Sequence, residues 1–137
     1  MPPRQQTQFR SEALEGELKK LHALVEGVKA AVIVNMDGLL VAAYPPEDEE
    51  DPYANPAGGP QVAAMSATLF GLAEKTFGRL KQGTLERLLM EAEEGTMVIY
   101  PAGRAAVVVL VSKEAHMGHV LYATKQAAVE VTRILGS

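Results

Sequence analysis

From the N-terminus, the apolar positions of the chain first fall at helical spacing. Leu14, Leu18, Leu21 and Val25 recur at steps of four, three and four, which draws one stripe along a helix. Ser11 is the expected N-cap, Glu12 and Glu15 lie where the helix dipole favours acids, and Gly27 is the expected stop. This predicts a helix over about 11–26. The preceding residues 1–10, MPPRQQTQFR, carry no apolar period and are predicted to be a flexible tail.

The period then changes. KAAVIVNM and GLLVAAY are near-continuous apolar runs separated by Asp37-Gly38 and its neighbours. They read as two strands covered on both faces, joined by a hairpin whose primed turn would need positive φ at its centre. Asp37 and Gly38 are therefore assigned to turn geometry, as Gly27 is to the helix stop. The next stretch, PPEDEEDPYANPAGGP, holds five of the eight prolines. It is incompatible with a regular helix or a central strand and reads as an acidic Pro/Gly loop over 45–60.

From about Gln61 to Lys81 the helical period returns, but over too wide an arc. Val62, Leu69, Ala73, Phe77 and Leu80 mark one face, Met65, Leu72 and Thr76 lie beside it, and Phe70 points toward another side. The small residues Ala63, Ala64, Ser66, Ala67 and Gly71 would let a second backbone approach. A helix this broadly apolar needs covering by more than its own sheet, which marks a protein–protein surface.

Three strand candidates follow in a meander of short connections. GTLERLLMEA alternates, with Leu85, Arg87 and Leu89 on one face and Thr84, Glu86, Leu88 and Met90 on the other, as an edge or interface strand would. TMVIYPAG ends at Pro101 and Gly103, and RAAVVVLVS is a doubly buried run. A last helix over about 115–135 carries a single stripe of Met117, Val120, Leu121, Thr124, Ala127, Ala128, Val131, Ile134 and Leu135. The order is αββαβββα, in one domain over residues 11–136.

Composition removes several functions. Apolar residues form 47% of the 137, enough for a real core and too many for a disordered chain. No apolar run approaches the ~20 residues needed to cross a bilayer, and the N-terminus lacks the apolar centre of a secretory signal. The expected location is cytoplasmic, which suits the absence of cysteine. The net charge of −4 is uneven: Glu47, Asp48, Glu49, Glu50 and Asp51 hold five of the 17 acids, leaving 12 against 13 Lys and Arg elsewhere. No basic cluster with interleaved aromatics supports a nucleic-acid partner.

The sequence offers no catalytic constellation. AGGP lacks the lysine of a phosphate loop, and Ser66 and Ser112 have no evident base. His116 and His119 form an H-x-x-H pair short of a third ligand, so the pair reads as surface polar residues rather than a zinc site. Arg104 falls at a strand-to-strand turn. No cofactor, no metal and no enzymatic activity are expected, and the chain reads as a binding or assembly module.

The segment LVEGVKAAVIVNMDGLLVA (24–42), the element order and MGHVLYATKQAAVEV (117–131) resemble the Roadblock (dynein light chain) family, of the bacterial small-GTPase-associated type. The resemblance covers residues 11–135. It implies an α+β fold: a five-stranded antiparallel sheet with the central helix on one face and the two terminal helices on the other. It also implies a homodimer, or a heterodimer with another Roadblock protein, joined through the central helix and the strand after it. The interface residues would be Met65, Leu69, Leu72, Thr76, Leu85, Arg87 and Leu89. Family members commonly partner small Ras-like GTPases, which they activate by repositioning the GTPase's own loops; Lys75 and Arg79 are the expected contacts. The alternative is a structural dimer that tethers other proteins and touches no GTPase. The long acidic loop departs from the family pattern.

Overall fold

The computed structural model describes residues 4–46, 55 and 57–136. The elements are α1 (Arg4–Leu24), β1 (Val28–Asn35), β2 (Leu40–Tyr44), α2 (Pro60–Arg79), β3 (Leu88–Glu91), β4 (Gly95–Ala102), β5 (Ala105–Ser112) and α3 (Met117–Leu135). One antiparallel sheet runs in the order β2-β1-β5-β4-β3. The expected α+β fold and element order are both present.

Alternation along the central strands builds a core on each face. Ala31, Ile33, Val107, Val109 and Val111 turn to one side, where they meet Leu14, Leu18 and Leu21 of α1 and Val120, Ala127 and Val131 of α3. Ala30, Val32, Val34, Ala106 and Val108 turn to the other, beneath Ala63 and Phe70 of α2. These strand residues are essentially inaccessible to water. Each such valine contributes roughly 1.5–3 kcal/mol of burial, which is why β1 and β5 read as unbroken apolar runs.

Four local features differ from the reading of the sequence. First, α1 begins at Arg4, so Ser11 is an interior helical residue and not its cap. Gln and Arg are good helix formers, and extending a helix already fixed by Leu14 and Leu18 is cheap compared with nucleating one.

Second, the β1–β2 turn is organised by Asn35 rather than by Asp37. The Asn35 side-chain oxygen accepts the N–H groups of Asp37 and Leu39, each at 3.0 Å. The Gly38 N–H donates to Asn35 O at 3.0 Å and the Asn35 N–H to Leu39 O at 2.9 Å. Only Gly38 has positive φ (91°), so this is a three-residue loop with a left-handed glycine and not a primed two-residue turn. A Cβ on Gly38 would also stand 3.2 Å from the Ala64 Cα of α2. Glycine is required there twice over.

Third, two of the small residues of α2, Ala63 and Ser66, face its own sheet, while Ala64 is exposed and Ala67 and Gly71 are half-buried. Ala63, Ser66 and Phe70 are its buried positions; Phe70, which the apolar pattern set aside, is the centre of that packing. Fourth, β3 starts at Leu88, not at the beginning of the alternating stretch. The register pairs Leu88 with Ile99, which sets Pro101 opposite Glu86. Proline has no N–H for a ladder, so pairing stops before it is reached.

The acidic pentad 47–51 lies outside the described residues. The ends of its loop do not. Asn55, 5% exposed, donates from Nδ2 to Pro45 O at 2.7 Å and accepts the Ala57 N–H at 2.9 Å. Gly58 donates to Asn55 O at 3.0 Å. One buried asparagine thus closes the base of the loop.

Candidate interaction surface

The helix α2 has two apolar stripes and buries only one. The buried stripe, Ala63-Ser66-Phe70, continues at the same spacing to Ala73 and Phe77, but Phe77 is already 42% exposed. From Gly71 to Leu80 no residue is buried. The second stripe is Met65, Leu69, Leu72, Thr76 and Leu80. At about 100° per residue these five fall within about 80° of arc, roughly 110° away from the sheet-facing stripe. Met65 is 61% exposed, Leu72 62% and Leu80 58%. The Thr76 hydroxyl donates to Leu72 O at 2.8 Å, which leaves its methyl group outward with the others. A ridge of this kind is unusual on a surface that remains in water.

Beyond α2 lies β3, the last strand of the sheet, with one edge unpaired among the described residues. The predicted interface residues divide here. Met65, Leu69, Leu72 and Thr76 share the α2 ridge. Leu85 and Leu89 do not share a face as the alternation suggested: Leu85 packs with the core under α2, Leu89 with the core under α1 and α3. Residues 84–87 are not strand, so their alternation has no ladder to hold it. Arg87 is exposed beside α3, in a groove shared with Tyr100, Lys125 and Val129.

Lys75 and Arg79 are exposed on α2 and flank the ridge on the side away from the sheet. Arg104 occupies the β4–β5 turn, where its carbonyl accepts the Met36 N–H at 2.9 Å. His116 is the N-cap of α3: its Nδ1 accepts the His119 N–H at 3.1 Å. One nitrogen of the H-x-x-H pair is therefore committed to capping. Gly27 has φ 94°, and a Cβ on it would lie 2.9 Å from Ala115 Cβ and from Ser112 Oγ. Leu80, at helical spacing from Thr76, is the last member of the ridge.

A Roadblock/LC7 domain model matches residues 14–112. The chain belongs to the Roadblock/LC7 family. Sequence relatives of this Roadblock chain include an uncharacterized protein of Methanocaldococcus jannaschii, 31% identical over 106 residues, which cover 77% of this chain and 86% of that protein. Its fold is similar to that of a Roadblock/LC7 domain from Streptomyces avermitilis, with a TM-score of 0.77 and 20% identity, over 90% of this chain and 98% of that one. It is equally similar to the gliding protein MglB from Thermus thermophilus, with a TM-score of 0.77 and 18% identity, over 91% and 90% of the two chains. At those identities the two structures speak for the fold alone. In the described part of this Roadblock chain, no helix is long and apolar enough to cross a membrane.

Proposed function

We propose that this Roadblock/LC7 chain is a non-enzymatic regulatory module. It dimerises through the α2 ridge and the free edge of β3, and in that form binds a small Ras-like GTPase. The observation that carries the reading is the ridge itself. Met65, Leu69, Leu72, Thr76 and Leu80 form a continuous apolar strip that the chain's own sheet leaves uncovered. Burying it against a second α2 would remove several large side chains from water on each partner, at roughly 25 cal/mol per Å². The GTPase half of the reading rests on the family resemblance, on the similarity in fold to MglB, and on Lys75 and Arg79. These two cations are exposed beside the ridge, on the side away from the sheet.

Light scattering on the purified chain tests the dimer, with a monomer at tens of micromolar as the contrary result. Capture by a Ras-like GTPase loaded with a GTP analogue or with GDP tests the partner. Nucleotide-dependent binding that Lys75→Glu and Arg79→Glu weaken, in a chain still dimeric, is the expected outcome. Binding indifferent to nucleotide favours a scaffold. No binding to any such GTPase refutes the regulatory role.

A further inference from the structure

The open edge of β3 carries enough information to say how a second copy would pair with it. The Ala92 N–H donates to Gly95 O at 2.9 Å, and the β3–β4 register, Glu91 with Thr96 and Leu88 with Ile99, sets Ala92 opposite Gly95. Hydrogen-bonded and non-bonded pairs alternate along an antiparallel ladder. Leu88 and Met90 therefore turn their backbone groups toward β4, while Leu89 and Glu91 turn theirs to the free edge, and so does Arg87 where the extended chain enters β3. Side chains alternate in step: Leu88 packs toward α2 and Leu89 toward α3, which puts Arg87, Leu89 and Glu91 on one face.

We propose that β3 pairs antiparallel with β3 of a second copy in the register centred on Leu89, locked by two symmetry-related ion pairs between Arg87 and the partner's Glu91. This rests on the dimer reading above and adds its geometry and selectivity. Outward backbone groups can bond only to outward ones, so the two-fold axis must pass a residue and not the midpoint between two. Centred on Leu88, Arg87 would face a leucine and Glu91 would face Leu85, leaving both charges unmatched. Centred on Met90, Arg87 would face Glu93, but Glu86 would face Glu94 and Glu91 would face Leu89, so each opposite-charge pair is offset by a like-charge pair and Glu91 is left unmatched. Centred on Leu89, Arg87 faces Glu91 twice, Leu88 faces Met90 twice, and Glu86 faces Ala92. Opposite charges directly across a strand pair stabilise it and like charges destabilise it.

Two further observations agree. Among the described residues the ion pair within the chain joins Glu130 and Arg133, so neither Arg87 nor Glu91 is engaged there. Arg87 also shares its groove with Lys125, giving the incoming carboxylate a second cation, against Glu86 at the same border. The pattern matches itself: a partner chain lacking a base and an acid four residues apart at this edge would lose both pairs.

The chain contains no cysteine, so single substitutions report the register cleanly. Opposed residues of a hydrogen-bonded pair stand about 5.5 Å apart at Cα, within disulfide reach. A shift of two positions adds roughly 7 Å along the strand and puts them out of reach. Under mild oxidation Leu89→Cys should crosslink to itself. Leu88→Cys and Met90→Cys should not crosslink alone but should crosslink when mixed. In solution, Arg87→Glu and Glu91→Arg should each raise the dimer Kd about tenfold or more, and the double exchange should restore it. Efficient self-crosslinking at Leu88 or Met90, or a double exchange as weak as the single ones, overturns the register while leaving the dimer intact. A wild-type chain that is monomeric by light scattering overturns the dimer and the register together.

Discussion

The helices α2 and α3 are of near-equal length, 20 and 19 residues, and both are rich in apolar residues, yet they complete their burial differently. In α3 one stripe, Val120, Thr124, Ala127, Ala128 and Val131, goes to the sheet and to α1. Its buried Thr124 hydroxyl donates to Val120 O at 2.6 Å, so nothing polar is left unsatisfied there. The exposed apolar residues that remain, Tyr122 and Val129, lie two turns apart with Lys125 and Gln126 between them, and make no continuous stripe. In α2 only Ala63, Ser66 and Phe70 are buried, and the larger residues Met65, Leu72 and Leu80 are more than half exposed. A helix with one stripe is finished inside its own chain. A helix with two, the smaller of them inward, is built for something besides its own sheet.

The strongest test of the contrast is a carboxylate placed on each helix. Val131→Asp puts an unpaired charge into the fully enclosed layer between α3 and the sheet. It should cost about 4 kcal/mol or more, a large part of the total stability of a domain this size, and abolish the cooperative thermal transition seen by circular dichroism. Leu72→Asp makes the same chemical change at a position 62% exposed. It should leave the far-UV spectrum unchanged and convert the proposed dimer to a folded monomer by light scattering. If Leu72→Asp unfolds the chain, the ridge belongs to the monomer's core. If it stays dimeric, the ridge is not the interface. Leu85→Asp separates the two effects less well, because Leu85 packs against the core under α2 and its loss would also loosen the fold.

Next in size is the turn that carries Gly38 under α2. The Asn35 side chain satisfies two backbone N–H groups at once. Asn35→Ala should lower unfolding free energy by about 1–3 kcal/mol in chemical denaturation, whereas Asp37→Ala should stay within about 0.5 kcal/mol. Equal effects would return the turn to Asp37.

That pair of residues also shows what the sequence makes legible and what it does not. The strands could be read because double burial leaves no polar residue in β1 or β5 from Ala30 to Val34 and from Ala105 to Val111. The terminal helices could be read because each has a stripe at one period. The turn was located by Asp37-Gly38 but credited to the wrong side chain, since Asn35 looks like the last residue of a strand until its hydrogen bonds are seen. The inward stripe of α2 was hidden because Ala63 and Ser66 carry little apolar signal, and the larger residues facing out dominated the pattern. The extent of β3 was out of reach because it depends on Pro101, which becomes its neighbour only through the register. Asn55-Pro56 did carry a turn signal, but its role as the clasp of the loop required knowing that Pro45 returns beside it.

The smallest effect is expected where the sequence looks most unusual. Deleting residues 47–51 removes five acids and moves the formal net charge from −4 to +1, yet leaves both ends of the clasp, Pro45 and Asn55, in place. Shortening a loop by five residues changes its closure entropy by well under about 1 kcal/mol, and removing a run of like charges relieves repulsion rather than adding it. The deletion should therefore melt within about 2 °C of the full chain in differential scanning calorimetry at matched salt. Asn55→Ala removes a 2.7 Å bond to Pro45 O and leaves buried groups without partners, so it should melt several degrees lower by the same reasoning. If the order were reversed, the acids would be engaged with the body of the protein and Asn55 would be incidental. Pentad and clasp occupy one loop, but on this account only the clasp supports the fold.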